Sequence, residues 1–144
     1  MKVKVKKLTD RALLPVYASS DSAGADIFCA LETQADILPG ETLLVPTGIA
    51  LEIPRGYGGF LYARSGLATK KGLAPANKVG VIDADYRGEV KVALYNQSGK
   101  TQTIFPGDRI AQLVIAPFLK AEFSEENDLG ETARGAGGFG STGR

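Results

Sequence analysis

Leu38-Pro39-Gly40-Glu41-Thr42-Leu43-Leu44-Val45, continuing through Pro46-Thr47-Gly48 to Ile49-Ala50-Leu51, carries the pattern that decides the fold class. A Pro that presets φ is followed by a Gly that accepts positive φ, and an apolar, β-prone run comes next. Phe105-Pro106-Gly107-Asp108 repeats the device and launches a second such segment, DRIAQLVIAP at 108–117. Both Pro-Gly pairs predict tight type II reversals. The runs they launch predict equivalent positions in the two halves of an all-β sandwich.

On either side of these turns the chain keeps the same character. Val3 and Val5 alternate with Lys2, Lys4 and Lys6, the period-two pattern of a strand with one solvated face. Short β-prone runs recur at 26–30, 42–45, 48–53, 59–62, 79–82, 89–95, 101–105 and 109–116. Ser65 to Lys71 alone reads as helix, bounded by Gly72. Many short strands punctuated by Gly and Pro predict a jelly-roll-like β-sandwich or a barrel, and the pattern does not choose between them.

With 144 residues, 44% of them hydrophobic and 23% charged, the chain fits one globular domain. That domain is expected at residues 1–129. Residues 130–144, with six glycines in fifteen positions, read as a flexible tail. Seventeen Lys and Arg against sixteen Asp and Glu leave a charge of +1, too small for the field that non-specific nucleic-acid binding needs. A small anion remains compatible, because a few Arg side chains and backbone N–H groups hold phosphates without any global charge.

The chain has no His, which excludes His triads, His metal ligands and the commonest general base at neutral pH. Its single cysteine, Cys29, lies in the apolar run Ile27-Phe28-Cys29-Ala30 and reads as a buried thiol. The N-terminal MKVKVKKLTD lacks the apolar core of a signal peptide, and no stretch approaches the length of a membrane span. A cytoplasmic protein without a membrane partner is the expectation.

Gly80-Val81-Ile82-Asp83-Ala84-Asp85-Tyr86-Arg87-Gly88 sets two carboxylates, an aromatic ring and a cation at a strand end. Such a cluster also suits a plain turn. In a chain without His, however, an Asp facing a bound water is the natural general base, and Asp83 follows three apolar or small residues. Gly24-Ala25-Asp26 and Ala63-Arg64-Ser65-Gly66 flank β-prone runs; Arg64 and Ser65 offer a forked cation, a hydroxyl and a helix-start N–H to phosphate oxygens. GAGGFG at 135–140 matches the three-glycine dinucleotide pattern but lacks the strand, helix and acidic residue that pattern requires, so that match is rejected. The tail reads either as a frayed terminus or, since Arg134, Phe139, Ser141, Thr142 and Arg144 supply an aromatic face, hydroxyls and two cations among glycines, as a segment that closes over a phosphate.

AGADI (23–27), ARSG (63–66), GVIDADYRG (80–88), GDRIAQLV (107–114) and RGAGGFGSTGR (134–144), in this order, resemble the five motifs of the trimeric dUTPases. The resemblance spans nearly the whole chain. It implies a β jelly roll, a homotrimer with shared active sites, and hydrolysis of dUTP to dUMP and pyrophosphate. That reaction limits uracil incorporation into DNA and supplies dUMP for thymidylate synthesis. In the family the first, second and fourth motifs of a site come from one subunit, the third from another and the tail from the remaining one.

The resemblance also assigns roles. Asp83 would accept a proton from the water attacking the α-phosphorus. Asn77, Val81 and the backbone of their hairpin would read uracil, Tyr86 would lie against the deoxyribose, and Phe139 would stack on the base. Arg64, Ser65, Gly66, Gln112, Arg134, Gly140, Ser141 and Thr142 would hold the phosphates, Gln112 also helping to position the water. Mg²⁺ would be the cofactor, bound by phosphates and waters, with Asp26 orienting a metal-bound water and no direct protein ligand. Thr69-Lys70-Lys71 departs from the more apolar continuation of many members. A dCTP deaminase, which shares the architecture, and a nucleotide-binding module without turnover are the competing readings; GVIDADYRG and the glycine-rich tail argue against the first, and intact Asp83, Gln112 and Arg134 against the second.

Overall fold

The computed structural model describes residues 1–138. Its elements follow in the order β1 (Lys4–Lys7), β2 (Val16–Tyr17), β3 (Ala25–Phe28), β4 (Ala35–Ile37), β5 (Thr42–Glu52) and β6 (Tyr57–Tyr62). After them come α1 (Ser65–Lys71), β7 (Leu73–Pro75), β8 (Gly80–Ile82), β9 (Glu89–Asn96), β10 (Gln102–Ile104) and β11 (Arg109–Pro117). One sheet runs β1-β5-β9-β7, a second runs β2-β3-β11-β6-β8, and β10 pairs with β4; the paired strands are antiparallel.

The two Pro-Gly turns launch the longest strand of each main sheet. Gly40 and Gly107 take φ of +79° and +82°, and the closing bonds, Glu41 N to Leu38 O and Asp108 N to Phe105 O, are both 3.0 Å. Each acidic residue also reaches back: Glu41 accepts the Leu38 N–H at 3.3 Å and Asp108 the Phe105 N–H at 2.9 Å. β5 belongs to the four-stranded sheet and β11 to the five-stranded one, so the equivalence expected of the two runs holds.

The runs 42–45 and 48–53 prove to be one strand. Pro46 cannot donate to a ladder, but β5 pairs with β1 only from Ile49 onward, so at Pro46 no neighbour on that side requires its missing N–H. Gly48, at φ +66°, lies in a bulge where β5 and β9 fall out of step between Pro46 and Ala50. The helix matches its expected bounds, and Gly72 closes it in the left-handed region at φ +66°. Lys70 and Lys71 fall in its last turn, where cations complement the helix dipole, and both side chains are exposed to solvent.

Ile27, Ile37, Ile49, Leu73, Leu94 and Ile110 are among the fully buried residues between the sheets. Truncating a side chain such as Leu94 to Ala at such a site costs about 2–5 kcal/mol. Two sheets packed over one core form the jelly roll. From Phe118 to Gly138 the chain has neither helix nor strand, and Leu119, Phe123 and Leu129 are almost fully exposed. No helix among the described residues is long and apolar enough to cross a membrane.

Candidate active site

The residues singled out in the sequence gather in two places. The first is built on β3, β11 and β6. Gln112 on β11 stands opposite Asp26 on β3 and opposite Tyr62 on β6, so all three side chains share one face of the sheet. β11 carries a one-residue irregularity between Arg109 and Ala111, which places Arg109 opposite Phe28 and hence on the same face as Asp26. Without that extra residue, Arg109 and Gln112 would point to opposite sides.

Asp26 is gripped from both sides. Arg64 Nε donates to its Oδ1 at 2.6 Å and an Arg109 guanidinium nitrogen lies 3.2 Å from its Oδ2. Asp26 and Arg64 are mostly buried, so their charge-assisted bond contributes roughly 1.5–3 kcal/mol, whereas the half-exposed Arg109 is screened and contributes less. Arg64 also donates to the Arg109 carbonyl at 3.3 Å, which fixes the plane of its guanidinium. Gln112 Nε2 donates to the Ala63 carbonyl at 2.8 Å, tying β11 to the residue before Arg64. Ser65 and Gly66, the first residues of α1, are exposed beside them. Arg64, Lys70, Lys71 and Arg109, with Asp108 as the one carboxylate among them, border a depression of about 280 Å³.

Gly24 makes this arrangement possible. A Cβ added there would stand 2.5 Å from Gln112 Oε1 and 3.2 Å from Gln112 Cβ. The sequence offered no signal for Arg109, whose placement depends on the irregularity in β11, and none for Gly24 as a spacer.

The second place is a cleft of about 480 Å³ bordered by Asn77, Val81, Asp83, Tyr86, Glu89 and Lys91. The turn from β7 to β8 forms one wall; the hairpin expected there is instead a crossover between sheets, since β7 pairs with β9 and β8 with β6. The turn passes through Lys78 at φ +63°, with Lys78 N bonded to Pro75 O at 3.0 Å and Val79 N to Asn77 O at 2.6 Å. Val81 is 64% exposed, and Asp83 lies exposed immediately after β8. Asp83 also borders a wider depression of about 840 Å³ that includes Arg55, Arg87 and Lys120. Arg87 is committed to its own loop, donating to the Ala84 and Tyr86 carbonyls at 2.7 and 2.9 Å.

The two places are separate within one chain. Ile82 pairs with Gly59 and Gln112 with Tyr62, so Asp83, one residue further on, is four positions along β6 from Gln112. That is about 13 Å along the strand and about 10 Å across two strand spacings. Arg134 is exposed and donates to Gly137 O at 2.9 Å within a turn. Phe139, Gly140, Ser141 and Thr142 lie outside the described residues.

The jelly roll thus presents the cluster of Asp26, Arg64 and Arg109 and, apart from it, a cleft of about 480 Å³. The sequence model of the dUTPase family matches residues 10–143. The deoxyuridine 5'-triphosphate nucleotidohydrolase of Hydrogenobaculum sp. is 52% identical over 143 residues, covering 99% of each chain. The solved dUTPase of Staphylococcus bacteriophage 80alpha with dUPNHPP superimposes with a TM-score of 0.90 at 30% identity, covering 99% of each chain. A mutant dUTPase from phage phi11 of S. aureus, described with a structural Mg(II) ion, gives 0.79 at 28% identity over 89% of this chain and 98% of its own. The chain belongs to the dUTPase family.

Proposed function

We propose that the protein carries out its family's reaction, the hydrolysis of dUTP to dUMP and pyrophosphate, in sites assembled from different copies of the chain within a homotrimer. The observation that carries this reading is the separation of Asp83 from the cluster of Asp26, Arg64 and Gln112, which stand four residues and two strand spacings apart in one copy and border different depressions.

In this reading Arg64, Ser65, Gly66 and Gln112 of one copy hold the phosphate chain, with Asp26 and Arg109 fixing the Arg64 guanidinium. Another copy supplies the cleft. Asn77 and the backbone of its turn read the uracil edge beside Val81, and Tyr86 packs against the deoxyribose, leaving no space for a ribose hydroxyl. Asp83 accepts a proton from water as that water attacks the α-phosphorus in line, and pyrophosphate departs with the bond's electron pair. Arg134, Phe139, Gly140, Ser141 and Thr142, from the tail of residues 130–144 that follows the β domain, close over base and phosphates. Closure excludes water and fixes geometry, which is where phosphoryl chemistry gains most of its rate.

Mg²⁺ is the proposed cofactor. The donor set suits a hydrated ion carried by the phosphates: among the described residues no three His, Cys, Asp or Glu groups converge, and both oxygens of Asp26 already face guanidiniums. Asp26 is the carboxylate beside the phosphate cluster and would orient a metal-bound water. When bound, Mg²⁺ neutralises phosphate charge, and its reluctance to shed water fits such a site. A cytoplasmic role limiting dUTP and supplying dUMP completes the reading.

The test is a panel of deoxynucleoside triphosphates assayed with Mg²⁺ and with product identification. Pyrophosphate and dUMP from dUTP support the reading; ammonia from dCTP, or binding of dUTP without product, contradicts it.

A further inference from the structure

We infer that Glu89 is a positioning residue for sugar recognition, holding Tyr86 at the mouth of the cleft by clamping the bulge of β5. The inference rests on the reading of Tyr86 given above. Pro46 stands opposite Lys91 and Ala50 opposite Glu89, so Thr47, Gly48 and Ile49 together face the single residue Val90. Ladder bonds are lost at such a bulge.

Two side chains replace them. The buried Thr47 hydroxyl donates to the Val90 carbonyl, and the Glu89 carboxylate accepts the Gly48 N–H at 2.9 Å. Gly48 is held from its other side as well, its carbonyl accepting the Leu8 N–H at 2.7 Å. The bulge is therefore a fixed anchor. Lys91 Nζ, 3.5 Å from Glu89 Oε2, adds a weak, half-exposed ion pair.

The other end of Glu89 holds the ring. Its carbonyl accepts the Tyr86 phenol at 3.0 Å, and the phenol lies over Gly88, where a Cβ would stand 2.4 Å from the phenol oxygen. Glu89 thus fastens Tyr86 to β5: carboxylate to the bulge, carbonyl to the phenol. Removing the carboxylate leaves the partly buried Gly48 N–H unpaired and leaves Glu89, the first residue of β9, held to β5 only through its pairing with Ala50, so the carbonyl that holds the phenol loses part of its support.

The experiment measures kcat/KM for dUTP and for UTP, with Mg²⁺, in the full-length wild type and in Glu89→Ala, Glu89→Gln and Tyr86→Ala. Gln keeps an acceptor oxygen at the same reach. We expect the dUTP-to-UTP ratio to fall about tenfold in Glu89→Ala, the size of one lost hydrogen bond, and to stay within about threefold of wild type in Glu89→Gln. Tyr86→Ala should fall at least as far as Glu89→Ala. A purely structural role lowers both constants in parallel; an unchanged ratio in Glu89→Ala with a lowered one in Tyr86→Ala overturns this inference alone. An unchanged ratio in Tyr86→Ala overturns the sugar reading of Tyr86, and the inference with it. Should Glu89→Ala fail to fold, Glu89→Asp, one methylene too short for the Gly48 N–H, carries the same expectation.

Discussion

Asp83 and Gln112 stand at opposite ends of β6: Ile82, next to Asp83, pairs with Gly59, while Gln112 pairs with Tyr62. An Asp and a Gln side chain together span well under the roughly 16 Å between their backbones, taking about 3.3 Å per residue and about 4.8 Å per strand. In the reading proposed above, one chain carries two half-sites, with Asp83 as general base in one and the phosphate donors in the other.

Replacing Asp83 with Asn removes the proton acceptor while keeping shape and hydrogen-bonding capacity. Turnover of dUTP should fall by roughly 10²- to 10⁴-fold, with affinity for a non-hydrolysable analogue largely kept. Near-normal turnover in the variant would remove Asp83 from the mechanism.

Gly24→Ala tests the spacing beneath Gln112. The new Cβ would press on Gln112 at 2.5 Å from Oε1, and a flexible amide can yield without unfolding the sheet. Thermal stability should change little, while kcat falls roughly 10- to 100-fold, as misplacement by about 1 Å can do. Unchanged kcat would show that the Gln112 amide does not act where we place it.

Truncation after Ala133 should leave the β domain folded with poor catalysis. From Phe118 on, the described chain has no strand, and its apolar Leu119, Phe123 and Leu129 bury almost nothing within the subunit. Circular dichroism and thermal unfolding report the fold, and steady-state assay reports the loss. Full activity without residues 134–144 would exclude the tail from the site.

Cys29 is 1% exposed, and burial raises its thiol pKa, with Asp108 adding to the rise and the Leu31 backbone hydrogen bond opposing it. The folded state thus favours the neutral thiol. The resulting stability is fully present below the unfolded thiol's pKa, about 8.5, and is lost as pH rises through the higher folded value. A disulfide reagent at pH 8 should label Cys29 only after unfolding in guanidinium; rapid labelling of the native protein would contradict the burial.

Much of this architecture was legible in the residues. Pro39-Gly40 and Pro106-Gly107 carry their backbone geometry in their chemistry, and Gly72 marks the helix end for the same reason. β5 was not legible as one strand, because Pro46 and Gly48 are strand breakers unless the partner strand stops short and a bulge absorbs the excess. β2, β4 and β7 are two or three residues long, too short to show periodicity. In the site, Asp26, Arg64, Asp83 and Gln112 stood out through chemistry and resemblance. Arg109 and Glu89 did not, since their positions depend on irregular pairing that no local pattern encodes.

The most direct test of the shared site is complementation between two inactive proteins. Asp83→Asn and Gln112→Ala chains are mixed in equal amounts, dissociated in denaturant, refolded together and assayed for dUTP hydrolysis against identically treated wild type. If each site draws Gln112 from one copy and Asp83 from another, random assortment in a ring restores about a quarter of the sites. Activity that stays at the level of the separate variants would mean that each site is complete within one chain, and the account would be wrong.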